Sequence, residues 1–386
     1  MNKDKIWLSS PHMGGSEQKY IQQAFDTNWI APVGANIDDF ELDLESYLGD
    51  GHVTALNTGT AAIHLGLILL GVKAGDEVIC QSLTFSASAN PILYQGGIPI
   101  FIDSELDTWN LCPVALEEAI VDRISKGVTP KAIIAIELYG VPYKIEEIRI
   151  IANKYAIPIL EDSAEALGSS YKGKPCGTFG EVSTLSFNGS KIITTSGGGA
   201  IITATKTLKE RAIFLATQAK ENAPHYQHSE VGYNYRMSNV SAGIGRGQME
   251  VLDEHVDSRR KMHEFYVDLF KDIKGVFVYT VPNENYFANY WLTAILIDPT
   301  GTKGITNETV RLKLLEENIE SRPLWKPMHL QPVYSKYPYY GNNIAETLFN
   351  KGLCLPSGSN LSDEDRARIK SVLINLFRKN KKQPSF

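Results

Sequence analysis

Between about residues 53 and 203, short runs of apolar, often β-branched residues alternate with segments whose apolar positions recur every three or four residues. A crossover between parallel strands needs a dozen or more residues and is usually helical, so this alternation predicts a mainly parallel sheet with helices on its faces. The predicted strands are 53–56, 77–80, 98–102, 132–137, 157–160, 182–187 and 200–202. Several are apolar at every position, as strands buried on both faces should be. The helix predicted over 113–125 sets Leu116, Ala119, Ile120 and Ile124 on one stripe and Glu117, Glu118, Asp122 and Arg123 on the other.

One long helical pattern over 238–271 leads into strands at 276–279 and 291–297 and helices at 307–318 and 363–378. This divides the chain into an α/β large domain, 1–250, and a smaller carboxyl-terminal α/β domain, 251–386. A length of 386 residues fits two such domains. No internal repeat and no Gly/Ser linker interrupts them, so they are expected to pack on each other.

Composition removes several functions. With 38 basic and 44 acidic residues the formal charge is -6, which gives no overall positive field for a polyphosphate, and no nucleic-acid partner is expected. The final basic run, Arg378, Lys379, Lys381 and Lys382, reads as a solvated tail. Cys80, Cys112, Cys176 and Cys354 are far apart with no C-x-x-C pair, so neither a zinc ribbon nor a disulfide framework is expected. Residues 1–10 lack the apolar core of roughly 7–15 residues that a secretory leader needs. The most apolar stretch, 61–72, is too short to cross about 30 Å of hydrocarbon. A cytoplasmic protein without a membrane partner is the expectation.

Three signals follow predicted strands, at the carboxyl edge where open α/β sheets hold ligands. Asn57-Thr58-Gly59-Thr60-Ala61-Ala62 joins a strand to a helix, and its free N–H groups, helix dipole and hydroxyls suit a phosphate. Taken alone, it is also an ordinary Thr-capped helix. Neither a Walker A nor a G-x-G-x-x-G pattern is present. Glu161-Asp162-Ser163-Ala164-Glu165-Ala166-Leu167-Gly168 places at a strand end an aspartate able to keep a pyridine nitrogen protonated. Metal binding is the rival reading of these acids, and it lacks a full ligand set, because His225 and His228 read as surface loop. Ser186-Phe187-Asn188-Gly189-Ser190-Lys191, running on to Gly197-Gly198-Gly199, offers a lysine that can form a Schiff base once neutral. A lysine taken at random is solvent exposed; the conjunction of cradle, acid and lysine at one edge is what carries the signal.

These segments, with Gly232-Tyr233-Asn234-Tyr235-Arg236-Met237-Ser238, resemble the DegT/StrS-type nucleotide-sugar aminotransferases over nearly the whole chain, from Ser10-Pro11-His12 to Leu355-Pro356-Ser357. Within that family the opening segment, Asn188 and Glu320-Ser321-Arg322-Pro323-Leu324-Trp325-Lys326 with His329 look most like the bacillosamine-pathway branch. The resemblance implies a PLP-dependent fold type I enzyme, aspartate aminotransferase-like, using pyridoxal 5'-phosphate as cofactor and usually a homodimer. It assigns Lys191 to the Schiff base, Asp162 to the pyridinium nitrogen, Phe85 to stacking on the ring, and Gly59, Thr60 and Ser186 to the phosphate. Asn234 would arrive from the partner subunit. Glu165 stands where many relatives have Gln or His, and Asn188 where many have His or an aromatic residue. Asn188, Arg236, Lys326 and His329 match positions near the nucleotide-sugar pocket.

The implied reaction moves an amino group from L-glutamate to C4 of a nucleotide-linked 4-keto-6-deoxy sugar, with UDP-2-acetamido-2,6-dideoxy-hexos-4-ulose as the expected acceptor. A lysine at 191, where some sugar dehydratases resembling this family carry His, favours transamination. The alternatives are a GDP-4-keto-6-deoxymannose (perosamine-type) aminotransferase and a non-catalytic PLP-fold regulator. The regulator would need a lost lysine or an added DNA-binding module.

Overall fold

The structure is a computed structural model that describes residues 4–379, so Lys381 and Lys382 of the basic tail lie outside it. Helices α1 (Glu17–Asp26) and α2 (Ala35–Leu48) precede the alternating region. There follow β1 (His52–Leu56), α3 (Gly59–Leu69), β2 (Glu77–Gln81), α4 (Ser86–Tyr94), β3 (Ile98–Ile102), α5 (Pro113–Ser125), β4 (Ala132–Ile136), α6 (Ile145–Tyr155) and β5 (Ile159–Asp162). A small hairpin, β6 (Ser170–Tyr171) and β7 (Lys174–Pro175), leads to β8 (Val182–Ser186), β9 (Gly199–Thr203) and α7 (Lys206–Ala216). Beyond these lie α8 (Asn239–Met249), α9 (Leu252–Phe270), β10 (Val276–Val278), β11 (Tyr286–Phe287), β12 (Thr293–Ile297), α10 (Asn307–Glu316), β13 (Arg322–Pro323), β14 (Tyr339–Tyr340), α11 (Ile344–Lys351), β15 (Gly352–Leu355) and α12 (Asp363–Lys379).

The main sheet has the order β1-β9-β8-β5-β4-β2-β3-β14. All its pairs are parallel except the two made by β9, which runs against both β1 and β8. The segment between β8 and β9 contains no helix, so the chain makes no crossover and returns antiparallel. Every strand but β9 therefore ends at one edge. A second, antiparallel sheet, β10-β12-β15-β13, forms the smaller layer.

Two expectations are corrected. The strand expected at 157–160 runs from Ile159 to Asp162, because Pro158 has no N–H for the ladder and gives only its carbonyl, to Ile133. This shift carries the aspartate into the strand itself. The helix expected over 238–271 is two helices that break at Glu250–Val251. In α8, Gly245 and Gly247 lie so close to Phe40 and to the main chain of Glu17 that a Cβ would stand 2.7 and 2.6 Å away, so α8 is drawn against α1 and α2 while α9 turns off. Two segments pack with the layer on the other side of position 250/251. Ile6 bridges Ile319 and joins the core of the smaller layer, while Met328, Tyr334 and β14 pack on the large sheet.

Helix α9 buries His255, Arg259 and His263, which four-residue spacing sets on one face. The His263 ring stacks on Tyr290 at 3.5 Å between centroids, and burial lowers its imidazole to about 4. A histidine whose folded value lies below its unfolded value near 6.5 stabilises the fold at higher pH and loses that contribution as pH falls toward the folded value. The full span is worth about 3 kcal/mol. His263→Phe, which keeps a ring against Tyr290, should therefore flatten the fall in unfolding midpoint between pH 6.5 and 4. Parallel acid curves for the two proteins would show that His263 is not the group responsible.

Candidate active site

The edge shared by the parallel strands opens into a cavity of about 390 Å³. At one end β1 passes into α3. Thr58 caps the helix by accepting from the Ala61 N–H (2.9 Å), and the Gly59 and Thr60 N–H groups, in the first turn, have no intrahelical partners. Ser186, at the end of β8, lies against Gly59, and Gly59, Thr60 and Ser186 all line the cavity. Gly199 makes this close approach possible. A Cβ there would stand 2.4 Å from the Gly59 nitrogen and from the Thr58 carbonyl carbon.

Asp162 ends β5 on the cavity floor. Its carboxylate accepts from the Ser88 hydroxyl (2.7 Å) and the Ala164 N–H (3.2 Å), while the Thr84 and Ser88 hydroxyls bond to each other (2.8 Å). Burial pushes the Asp162 carboxyl up, and the Ser88, Ala164 and Lys191 interactions oppose it. Glu165 accepts from the Tyr139 N–H (2.7 Å) and pairs with Lys191 Nζ at 3.3 Å. Burial raises the Glu165 carboxyl as well, opposed first by the charge of Lys191. The Lys191 ammonium also stands over the Trp291 ring, 4.0 Å from its centroid. Lys191 and two buried carboxyl groups thus share one cavity.

Lys191 is held from behind. The fully buried Arg259 donates to the carbonyls of Trp291 (2.7 Å), Ser357 (3.1 Å) and Lys191 (3.4 Å) and to the Ser9 hydroxyl (3.0 Å). Burial lowers its guanidinium to about 9. The Trp291 indole N–H donates to the Ser190 carbonyl (2.6 Å), tying the lysine loop to the smaller layer.

The structure brings Gly59, Thr60, Phe85, Asp162, Glu165, Ser186, Asn188 and Lys191 to one cavity. Phe85 is half exposed at the mouth, with its ring 5.3 Å from that of Trp325. Arg236, Lys326 and His329 do not line this cavity. The Arg236 guanidinium pairs with Glu41 and donates to the Ala55 carbonyl of β1. Lys326 projects into solvent, and its carbonyl accepts from the Gln331 amide. His329 turns to the Ser82 hydroxyl (2.7 Å) and stacks on Tyr339. Asn234 is exposed and also outside the cavity, on a loop bonded to residues 215–218 at the end of α7. His225 and His228 are exposed, as expected of surface loop.

Ser88, Trp291 and Trp325 line the cavity without having been singled out as site residues. Ser88 had a usable signal: it falls one helical turn after Thr84, in the helix that follows β2 at the same edge. Trp325 lay within a motif already noted, and Trp291 had no signal, because its placement depends on how the two layers meet.

The donor set fits a phosphorylated pyridine. Free N–H groups and hydroxyls at one end suit a phosphate, a buried carboxylate suits a ring nitrogen, and an amine stands between them. Comparison with known proteins agrees. A model of the DegT/DnrJ/EryC1/StrS aminotransferase family matches residues 11–373. The chain is 48% identical over 377 residues to EpsN of Bacillus subtilis (strain 168), covering 97% of this chain and 96% of that one. It is 37% identical to a GDP-perosamine synthase of Escherichia coli O157:H7, covering 93% and 95%. The solved structure of a DegT DnrJ EryC1 StrS aminotransferase from Brucella abortus superposes with a TM-score of 0.87 at 27% identity, covering 95% and 96%. The chain belongs to the DegT/DnrJ/EryC1/StrS aminotransferase family, and it is a pyridoxal phosphate-dependent sugar aminotransferase with the type I α/β fold.

Proposed function

We propose that the enzyme moves an amino group from L-glutamate to C4 of a nucleotide-linked 4-keto-6-deoxy sugar. The observation that carries this reading is Lys191 Nζ held between Glu165 and Trp291, in the same cavity as Asp162. Bound pyridoxal phosphate supplies an electron-withdrawing ring that stores the amino group between donor and acceptor. The Gly59 and Thr60 N–H groups with the Ser186 hydroxyl hold its phosphate. Asp162, oriented by Ser88 and Ala164, keeps a proton on the ring nitrogen. Lys191 Nζ takes the proton from the donor's α-carbon in one half-reaction and reverses that movement in the other. Glu165 keeps the amine in place between these steps. Phe85 and Trp325 close the ring face against water. The lysine itself speaks against a non-catalytic regulator.

For the acceptor we propose UDP-2-acetamido-2,6-dideoxy-hexos-4-ulose, supported by the likeness of the opening segment, Asn188 and the Trp325 region to the bacillosamine-pathway branch. The second reading, a GDP-4-keto-6-deoxymannose acceptor, is supported by the GDP-perosamine synthase relative. A panel of UDP- and GDP-linked 4-keto sugars with L-glutamate separates the two. We expect kcat/KM for the UDP-linked 2-acetamido sugar to exceed that for the GDP sugar by about tenfold or more. A preference for the GDP sugar would establish the perosamine-type reaction.

The active sites are proposed to be shared across a homodimer. Asn234 is exposed and lies outside its own cavity, on a firmly bonded loop, and these features suit a group that reaches the partner's phosphate. An inactive Lys191→Ala chain mixed with an inactive Asn234→Asp chain should regain partial activity, because one site of the mixed dimer is intact. No recovery in demonstrably mixed dimers would place Asn234 outside the shared site.

A further inference from the structure

The Glu-Asp pair that ends β5 faces two ways. Asp162 lies on the cavity side, and Glu161, one residue earlier on a strand whose side chains alternate, lies beneath the sheet. The transamination chemistry gives Glu161 no part. Its Oε1 accepts from the Gly177 N–H (2.9 Å), and its Oε2 from the N–H groups of Phe179 (2.8 Å) and Gly180 (3.2 Å) and from the Ser183 hydroxyl (3.1 Å). Four donors thus fill the acceptor sites of its two oxygens.

Glu137, immediately after β4, meets it there. Glu137 has no exposed surface, and neither of its oxygens has a hydrogen-bond donor among the described residues. One carboxyl oxygen from each glutamate and the Cys176 sulfur lie within 4.8 Å of one another. The Ser163 and Tyr143 hydroxyls are also buried and unpartnered. Two negative charges at this spacing, in a dry interior without a paired cation, are not sustainable. A single proton resolves both the repulsion and the orphaned oxygens. Burial and the charge of Glu161 push the Glu137 carboxyl well above the usual range, and Asp162 adds to the rise across the sheet; the nearby Ser163 hydroxyl opposes it without reaching hydrogen-bond geometry. The Cys176 thiol and the Tyr143 hydroxyl are pushed up in turn by burial and by the same two glutamates, so both are neutral neighbours.

We propose that Glu137 carries a proton which it donates to Glu161, and that this shared-proton pair is a positioning device for Asp162. Both members hold the main chain of that residue. Glu161 precedes it in β5, and the Glu137 N–H donates to its carbonyl (3.3 Å). The pair also keeps one negative charge, and not two, under the cavity floor. The positioning role rests on reading Asp162 as the partner of the ring nitrogen; the shared proton does not.

Infrared difference spectroscopy on the cofactor-free full chain at neutral pH tests the proton directly. Wild-type protein should show a buried carboxylic-acid carbonyl band that Glu137→Gln removes. In the loaded enzyme Glu137→Gln, whose amide N–H still donates to Glu161, should keep kcat within about threefold. Glu137→Met, which cannot donate, should lower kcat about tenfold or more with little change in donor KM, because Asp162 is displaced. It should also move the pH dependence of the cofactor's absorbance, which a merely structural change would leave in place. The absence of an acid band, its survival in Glu137→Gln, or one bound metal equivalent that this variant loses would overturn the shared proton. A wild-type acid band combined with normal turnover in Glu137→Met would overturn the positioning role alone. Should Glu137→Met fail to fold, loss of turnover in a folded Glu137→Gln that still binds cofactor would also overturn it.

Discussion

A lysine ammonium and two carboxyl groups enclosed in one cavity have to settle their charges against one another, and much of this structure follows from how they do so. Alone, each would be costly to bury. Lys191 pairs with Glu165, leans on the face of Trp291, and its charge in turn favours the ionised form of Asp162. Ser88, Ala164 and the Tyr139 N–H supply the hydrogen bonds that the acids would otherwise take from water. Burial raises both acids, and the charge of Lys191 opposes that rise at each.

The fold makes this arrangement possible by ending parallel strands at one edge. β1, β5 and β8 deliver the cradle, the acid and the serine beside the lysine loop, and antiparallel β9 brings Gly199 against the cradle at a distance no side chain allows. The smaller layer adds the walls. Trp291 and Trp325 come from it, and Arg259 of α9 gathers the carbonyls of Lys191, Trp291 and Ser357 onto one guanidinium. The position of the lysine thus depends on the packing of both layers.

Much of this was legible in the sequence because it is local. Strand ends, glycine turns and capping residues announce themselves within a few positions; the family resemblance added Phe85, Glu165, Ser186 and Asn188, and eight of the expected site residues share one cavity. What was missed is non-local. The pairing of Arg236 with Glu41, nearly two hundred residues earlier, is one such contact. The tryptophans read as a strand start and as a motif member, and only the meeting of the layers turns them to the cavity. Glu137 looks like the last residue of a strand, and nothing in its neighbours shows that it faces Glu161. The one helix that is really two failed for a related reason, since the pull on α8 comes from α1 and α2, which are distant in sequence.

The account rests on Lys191 being the amine that bonds to the cofactor. Reducing the pyridoxal phosphate-loaded protein with borohydride, digesting it and mapping the pyridoxyl group tests this most directly. The account predicts the label on the peptide containing Lys191 and its loss in Lys191→Ala. A label on another lysine of the native protein, or an equal label in the variant, would contradict it.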